Sequence, residues 1–164
     1  MKHTKAKILF FLTMFLLIAA LAVFVGFRMR KPAAIDADFS VLCEALEERG
    51  LTENTVPGTT LELKRRFNLL ESDYPSVLYL APVTYMNVEE ILVVEVRSSS
   101  EADAVEEAIQ TSLDAQKKLF ENYGVDQYGY LKDAKIYRNE RYVVYAAGAK
   151  AEDVLTEIRF AIER

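Results

Sequence analysis

The sequence is poor in the residues that build many catalytic and metal sites. Its 164 residues include one cysteine, one histidine, six glycines and no tryptophan. One cysteine cannot form an internal disulfide or a cysteine-based metal cluster. The histidine is His3, so the rest of the chain has none for a catalytic triad or a zinc site. The glycines are not at the spacing of a phosphate-binding loop. We therefore predict no cofactor and no metal.

Acidic residues are missing from the first 31 positions, and the charge is therefore unevenly distributed. Six Lys/Arg lie in residues 1–31, and the other fourteen Lys/Arg and all twenty-five Asp/Glu follow. The two parts carry +6 and −11, which give the net charge of −5. Because proteins bind nucleic acid largely through Lys and Arg at its phosphates, an acidic body predicts no nucleic-acid partner.

Residues 8–27 form an uninterrupted run without charge, ILFFLTMFLLIAALAVFVGF. A helix of that length spans roughly 30 Å, the thickness of the hydrocarbon core of a bilayer. Ala20-Leu21-Ala22 has the form of a signal-peptidase site, so cleavage after Ala22 is an alternative. The apolar run continues to Phe27 and ends at basic residues, which favours an uncleaved membrane anchor.

These features divide the chain into four predicted segments. Residues 1–7 are a basic cytoplasmic tail, 8–27 a transmembrane anchor, 28–37 a tether and 38–164 an extracytoplasmic domain. A short basic tail before a single N-terminal helix typically stays in the cytoplasm. The predicted location is therefore the cell membrane, which is also the first predicted partner.

The body alternates helical and strand patterns. Helices are predicted at 38–49, 101–123, 126–133 and 152–163, a short helix or turn at 61–70, and strands at 76–81, 90–97, 134–138 and 141–147. Residues 52–59 are predicted as a loop because they contain Pro57-Gly58. The strand at 90–97 is apolar on both faces, which is typical of a strand inside a covered sheet. The order α-(α)-β-β-α-α-β-β-α predicts an α+β domain with a mainly antiparallel four-stranded sheet packed by helices.

Residues between positions 63 and 143 resemble a known family. They are Leu63-Lys64-Arg65-Arg66-Phe67-Asn68-Leu69, Tyr79, Met86, Glu90-Ile91-Leu92-Val93-Val94, Ala104-Val105-Glu106, Ala108-Ile109, Gln116, Phe120-Glu121, Tyr123-Gly124, Gln127 and Tyr142-Val143. This set resembles DUF4358, a bacterial family of domains of unknown function, over residues 38–163. The family pattern has Tyr-Gly where this chain has Phe67-Asn68. The resemblance implies a membrane-anchored or lipoprotein-like protein of a Gram-positive bacterium and adds no catalytic chemistry.

Tyrosines provide the first candidate binding residues. Tyr123, Tyr128, Tyr130 and Tyr137 lie close together in the sequence. Tyrosine offers rigid amphipathic contact area, which peptide-binding and carbohydrate-binding surfaces use. The alternative is that these rings border the core with their hydroxyls in water. We predict Tyr123, Tyr128 and Tyr130 as contacts to a ligand or partner.

Two glutamines complete the predicted site. Gln116 lies on the apolar stripe of the long predicted helix, between Leu113 and Phe120. A buried amide needs hydrogen-bond partners. Gln116 therefore either clamps a neighbouring loop, such as the one that carries Gln127, or contacts a ligand. Gln116 and Gln127 join the predicted binding residues, and no catalytic residue is predicted.

The pairs and clusters of adjacent charged residues do not by themselves indicate a catalytic site. Glu89-Glu90 and Glu106-Glu107 are adjacent acids, but catalysis by paired acids needs carboxyls that converge on one cleft. Neighbours on a strand or a helix point apart, so we expect both pairs to form solvated faces. The basic cluster Lys64-Arg65-Arg66 is either a solvated helix face or a docking site for an acidic partner.

Three functions fit the sequence. The first is a membrane-tethered extracytoplasmic module that binds a ligand, a protein or another envelope component without catalysis. The second is a small cell-envelope hydrolase or transferase that uses Asp/Glu and Tyr, which a cleft with converging acids and a raised carboxylate pKa would favour. The third is a structural or assembly subunit at the membrane, which a large exposed apolar patch would favour.

Overall fold

The structure is a computed structural model, which describes Met14 and residues 39–122 and 124–163. Apart from Met14, the predicted tail, membrane anchor and tether lie outside the described residues. None of the helices in the described residues combines the length and the apolar composition that a membrane crossing requires. The fold below belongs to one of the two units into which the chain divides, Ala37–Arg164.

The described residues of this unit form five α-helices and five β-strands. The helices are α1 (Phe39–Glu48), α2 (Thr60–Phe67), α3 (Ser99–Phe120), α4 (Val125–Lys132) and α5 (Ala151–Ile162). The strands are β1 (Thr55–Pro57), β2 (Val77–Pro82), β3 (Glu90–Glu95), β4 (Lys135–Arg138) and β5 (Tyr142–Ala147). The predicted α+β class is confirmed, and every predicted helix and strand is present with ends that differ by at most three residues.

The strands form one antiparallel sheet in the order β1-β2-β3-β5-β4. The prediction of four strands is wrong, because Thr55–Pro57, predicted as part of a loop, pairs with the end of β2. A strand of three residues that contains a proline carries too little pattern to be recognised, and its pairing depends on β2. The central position of β3, between β2 and β5, confirms the prediction of a covered strand.

Helices cover both faces of the sheet. We call the face under α2, α3 and α4 face A, and the face under α1 and α5 face B. Successive residues of β3 alternate between them: Leu92 and Val94 join the core on face A, and Ile91 and Val93 the core on face B. All four are buried, which explains the continuous apolar pattern of this strand.

The short helix α2 has defined caps at both ends. The Thr59 hydroxyl accepts a hydrogen bond from the Glu62 amide, and the Glu62 carboxylate accepts one from the Thr59 amide at 2.8 Å. At the other end Asn68 adopts a left-handed conformation with φ 58°. Glycine and asparagine adopt this conformation most readily, so asparagine suits the C-terminal end of this helix. These caps fix the helical turn that carries Arg65 and Arg66.

Candidate functional site

A cleft of about 520 Å³ opens between α2, the β1–β2 edge of the sheet, the β2–β3 loop and the C-terminal end of α3. Its apolar wall includes Val56, Val83, Leu119 and Phe120, and its polar wall includes Arg65, Arg66, Tyr79 and Gln116. The side chains of Leu119, Val83 and Tyr85 are exposed at this cleft. Solvent-exposed apolar side chains around a concave site are typical of binding surfaces.

The polar wall is built around one buried carboxylate. Glu90, the first residue of β3, is fully buried. Arg66 binds it with two nitrogens: Nη2 lies 2.8 Å from Oε1, and Nε lies 3.1 Å from Oε2. Burial of an unpaired carboxylate is strongly unfavourable, so this two-pronged ion pair is what allows Glu90 to be buried.

Two other side chains of the cleft bind the same carboxylate. The Nε2 of Gln116 donates a hydrogen bond to Oε1 at 2.9 Å, and the Tyr79 hydroxyl donates a long one to Oε2 at 3.4 Å. We call Glu90, Arg66, Tyr79 and Gln116 the Glu90 cluster. It joins α2, β2 and α3 to β3. Gly58 packs under the Tyr79 ring so closely that a Cβ atom there would lie 2.2 Å from the ring, so glycine permits the position of Tyr79.

Two buried polar atoms in this region have no hydrogen-bond partner among the described residues. They are Oε1 of Gln116 and the hydroxyl of Tyr145 on β5. After burial, the charge of Glu90 and a weak hydrogen-bonding contact with it raise the pKa of Tyr145, although the hydroxyl does not reach the full geometry of a hydrogen bond. The Phe67 ring packs edge-on against both Tyr79 and Tyr145, at centroid distances of 5.7 and 5.9 Å. The tyrosine rings are therefore held by packing more than by polar contacts.

Burial controls the protonation of the cluster. It raises the pKa of Glu90 above the ordinary 4.5, while the charge and hydrogen bonds of Arg66 act in the opposite direction. Burial, followed by the negative charge of Glu90, raises the pKa of both Tyr79 and Tyr145 above the ordinary 10.0. Both phenols therefore stay neutral, and Glu90 holds a proton more tightly than a solvated glutamate does.

Glu90 is enclosed by its partners instead of being presented to the cleft. Arg66, Tyr79 and Gln116 line the cleft, and Glu90 does not. The acid that does line it, Glu62, is engaged by Thr59, whose hydrogen bonds lower the pKa of Glu62. A general acid or base must lie within hydrogen-bond reach of its substrate. Glu90 is therefore placed to hold Arg66 and Gln116 in position. It is not placed to exchange a proton with a ligand in the cleft.

A metal site is not formed by the described part of the chain. No group of three or more His, Cys, Asp and Glu side chains there could hold an ion. The polar side chains that line the cleft include two arginines, two amides, a phenol and one carboxylate, which bind organic groups through hydrogen bonds.

The predicted binding residues lie in two places. Gln116 is buried and lines the cleft, where its amide nitrogen binds Glu90 and not the region of Gln127. Gln127, Tyr128 and Tyr130 are partly buried on α4, and the two tyrosines pack against the core of face A. The Nζ of Lys132 lies 5.6 Å from the centre of the Tyr128 ring. Tyr123 lies outside the described residues.

Two residues of the cluster were misassigned by sequence reasoning. The expectation of a solvated face is wrong for Glu90, because strand alternation places its side chain on face A with Leu92 and Val94. The expectation of a solvated helix face is also wrong for Arg66, which binds an acid of the same chain. The signal that points to them is an acid at the start of a doubly buried strand, together with a basic cluster on a preceding helix.

Comparison with known proteins gives one match. Searches of curated proteins and of solved structures found nothing similar to the chain. The family described as Domain of unknown function (DUF4358) matches residues 48–148. This range is narrower than the predicted 38–163. It contains all five strands, the whole Glu90 cluster and all the residues of the cleft named above. The chain belongs to the DUF4358 family.

Proposed function

We propose that this chain is a membrane-tethered extracytoplasmic module that binds an amphipathic ligand in the cleft and does not transform it. The observation that carries the binding proposal is the contrast between the two walls of the cleft. Leu119 and Val83 leave apolar surface in water, while Arg66 and Gln116 are held in place by a carboxylate that the ligand does not reach. Rigid polar groups beside open apolar surface favour binding, because little freedom is lost when a ligand enters.

A small hydrolase or transferase is the second candidate, and the raised pKa of Glu90 favours it. Burial explains that shift without a catalytic role, since the carboxylate is fully enclosed. Paired-acid chemistry also needs a second carboxyl that converges on the same bond, and Glu62 is occupied by the cap of α2. These contacts support the binding module over the enzyme.

The tether and the orientation rest on the sequence. The uncharged run of residues 8–27 is long enough to span a bilayer, and the basic tail before it is typical of a segment that stays in the cytoplasm. We expect protease added to bacterial protoplasts that produce the chain to digest residues 32–164. A cytoplasmic protein in the same cells serves as the control for intact membranes. Full protection of both would reverse the proposed orientation.

The binding proposal is tested with the full chain in lipid nanodiscs. A fluorinated tag is attached to a cysteine introduced by Met86→Cys in a Cys43→Ser background. Met86 is 65% exposed and follows Tyr85 of the cleft. The matched control is Val41→Cys, because Val41 is 59% exposed and lies on α1, which covers face B. The probe is 2-phenylethanol, which has an apolar ring and a hydroxyl group.

We expect 2-phenylethanol to shift the ¹⁹F signal of the tag at position 86 and to saturate at millimolar concentration, as is usual for so small a ligand. The tag at position 41 should not respond. Leu119→Arg should abolish the response, because it fills the apolar wall with a charged side chain. Equal, unsaturated shifts at both positions would show partition into lipid and would contradict binding in the cleft.

A further inference from the structure

One guanidinium of the cleft has no partner inside the described part of the chain. Arg65 lies on α2, is exposed to solvent and lines the cleft. No hydrogen bond or ion pair to another described residue holds it, whereas Glu90 binds the guanidinium of Arg66 next to it. Arginine binds carboxylates through two parallel N–H donors. Arg65 therefore offers the cleft an unused site for an oxyanion.

The other charged and amide side chains that line the cleft are already engaged. They are Glu62, bound to Thr59; Arg66 and Gln116, bound to Glu90; and Asn87, whose Oδ1 accepts a hydrogen bond from the Glu89 amide at 2.8 Å. A peptide would bring an N–H and a C=O with every residue and would find few partners for them here. A ligand with a single polar end needs only Arg65.

The charge of the cleft differs from that of the domain around it. Residues 32–164 carry −11, but the cleft is lined by two arginines and one acid. The acid, Glu62, is drawn to the start of α2, where its carboxylate accepts hydrogen bonds from the amide and the hydroxyl of Thr59 at 2.8 Å. Glu90 compensates the charge of Arg66. One negative charge is therefore balanced by the remaining arginine, and a second would face Glu62 without compensation.

Exposed apolar side chains supply the second half of the site. Val56, Val83, Tyr85 and Leu119 are each at least 45% exposed, and all four line the cleft. Arg65 comes from α2 and Leu119 from α3, so the charge and the apolar surface belong to different walls. The cavity of about 520 Å³ is within the range of roughly 300–1,000 Å³ that is usual for sites of small organic ligands.

We infer that the cleft binds a small carboxylic acid, with its carboxylate on the guanidinium of Arg65 and its hydrocarbon body on Val83 and Leu119. This inference rests on the proposed function, because it specifies the ligand of the same cleft. It adds that the amphipathic ligand carries a single negative charge and has no peptide backbone.

The test compares two probes of the same shape that differ in charge. They are 3-phenylpropionate and 3-phenylpropionamide, titrated at about pH 7.5 into the full chain with the ¹⁹F tag at position 86, in nanodiscs of uncharged phosphatidylcholine. The tag at position 41 again reports partition into lipid. We expect the acid to bind about tenfold more tightly than the amide, because only the acid forms a charge-assisted pair with Arg65.

Two variants assign this preference to its residue. In Arg65→Gln the acid and the amide should bind within about twofold of each other. This variant should fold like the unsubstituted chain, because Arg65 is exposed and has no partner among the described residues. The matched control is Lys118→Gln, which removes an equal charge from an exposed position of α3 that does not line the cleft. It should keep the tenfold difference.

Each contrary outcome overturns a separate point. Equal affinities for the acid and the amide would overturn recognition of a carboxylate and leave the binding module in place. A preference for the acid that persists in Arg65→Gln would overturn Arg65 as its site. Tighter binding of 2-phenylethyl phosphate, which carries nearly two negative charges at this pH, would overturn the single charge. Tighter binding of N-acetylphenylalaninate would overturn the ligand without a peptide backbone. Absence of saturable binding by all of these probes and by 2-phenylethanol would overturn the proposed function itself.

Discussion

The two faces of the sheet use the same central strand and bury different chemistry. On face B, β3 contributes Ile91 and Val93 to a core in which α1 and α5 bury leucine, isoleucine and valine. On face A, β3 contributes Leu92, Val94 and the charged Glu90. The buried carboxylate and the buried amide that it binds both lie on face A. A purely apolar core is the simpler way to stabilise a domain, as face B shows.

The difference between the two cores indicates that face A carries the proposed binding site and that face B contributes mainly to stability. An ion pair buried on folding contributes little net stability and is costly when it is broken. Face A keeps one at the wall of the cleft, where Arg66 and Gln116 meet both the protein and the solvent-filled space. The core of face B is apolar and contains no buried ion pair among the described residues. Four predictions test this division, from the largest expected effect to the smallest.

The largest effect is expected when a charge is introduced into either core. Ile109 on face A and Ile158 on face B are both fully buried. We expect Ile109→Asp and Ile158→Asp each to lower the free energy of unfolding by about 5 kcal/mol, which is a large part of the stability of a domain of this size. Urea denaturation of the full chain, followed by tyrosine fluorescence, measures this. An unchanged urea midpoint for Ile158→Asp would mean that face B is not part of one cooperative core.

The next effect separates a buried ion pair from a partly exposed one. Arg66→Met leaves Glu90 buried without its cation, and we expect a loss of about 3–5 kcal/mol in the free energy of unfolding. The matched control is Arg141→Met. Its partner Glu95 keeps access to water, with 15% of its side chain exposed, so the expected loss is about 1 kcal/mol or less. Equal losses in the two variants would show that burial of Glu90 has no special energetic weight.

A smaller effect concerns pH. The pKa of Glu90 is raised in the folded chain, so the folded state binds this proton more tightly than the unfolded state does. The contribution of Glu90 to stability is therefore fully present below the ordinary pKa of 4.5 and decreases as pH rises through the raised value. Relative to Glu90→Gln, the unsubstituted chain should lose unfolding free energy as the pH rises from 4.5 through the raised pKa of Glu90. A difference that grows with pH over this range would contradict the raised pKa.

The smallest effect is expected for the hydroxyl of Tyr145. Because this hydroxyl is buried without a hydrogen-bond partner among the described residues, Tyr145→Phe should leave the free energy of unfolding unchanged or raise it by about 1 kcal/mol. Tyr79→Phe removes a hydrogen bond to Glu90 and should lower it by about 0.5–1 kcal/mol. Destabilisation by Tyr145→Phe larger than that by Tyr79→Phe would show that Tyr145 has a polar partner.

Local patterns in the sequence were sufficient for most of the fold. The unbroken apolar stretch Ile91-Leu92-Val93-Val94 predicted a strand covered on both faces, and the structure confirms it. The strand β1 was missed, because three residues that include Pro57 have no pattern of their own apart from their pairing with β2. Strand pairing of this kind is a property of the tertiary structure.

The Glu90 cluster was harder to predict than the fold. Its members come from α2, β2, β3 and α3, and among their hydrogen-bonded pairs the separation along the chain reaches 26 residues, for Glu90 and Gln116. The pattern of the long helix correctly predicted that Gln116 is buried, since the apolar stripe repeats through that position. It could not identify Glu90 as the partner, because adjacent glutamates in a strand differ only in the face to which they point.

The single oxygen shared by Arg66 and Gln116 has a consequence for kinetics. Since Arg66 of α2 and Gln116 of α3 both bind Oε1 of Glu90, neither helix can swing outward without breaking its bond to this buried carboxylate. The opening between them is consequently preformed, and ligand association should follow a single exponential whose rate rises linearly with concentration. Backbone amides in the two helices should likewise exchange with deuterium as one unit.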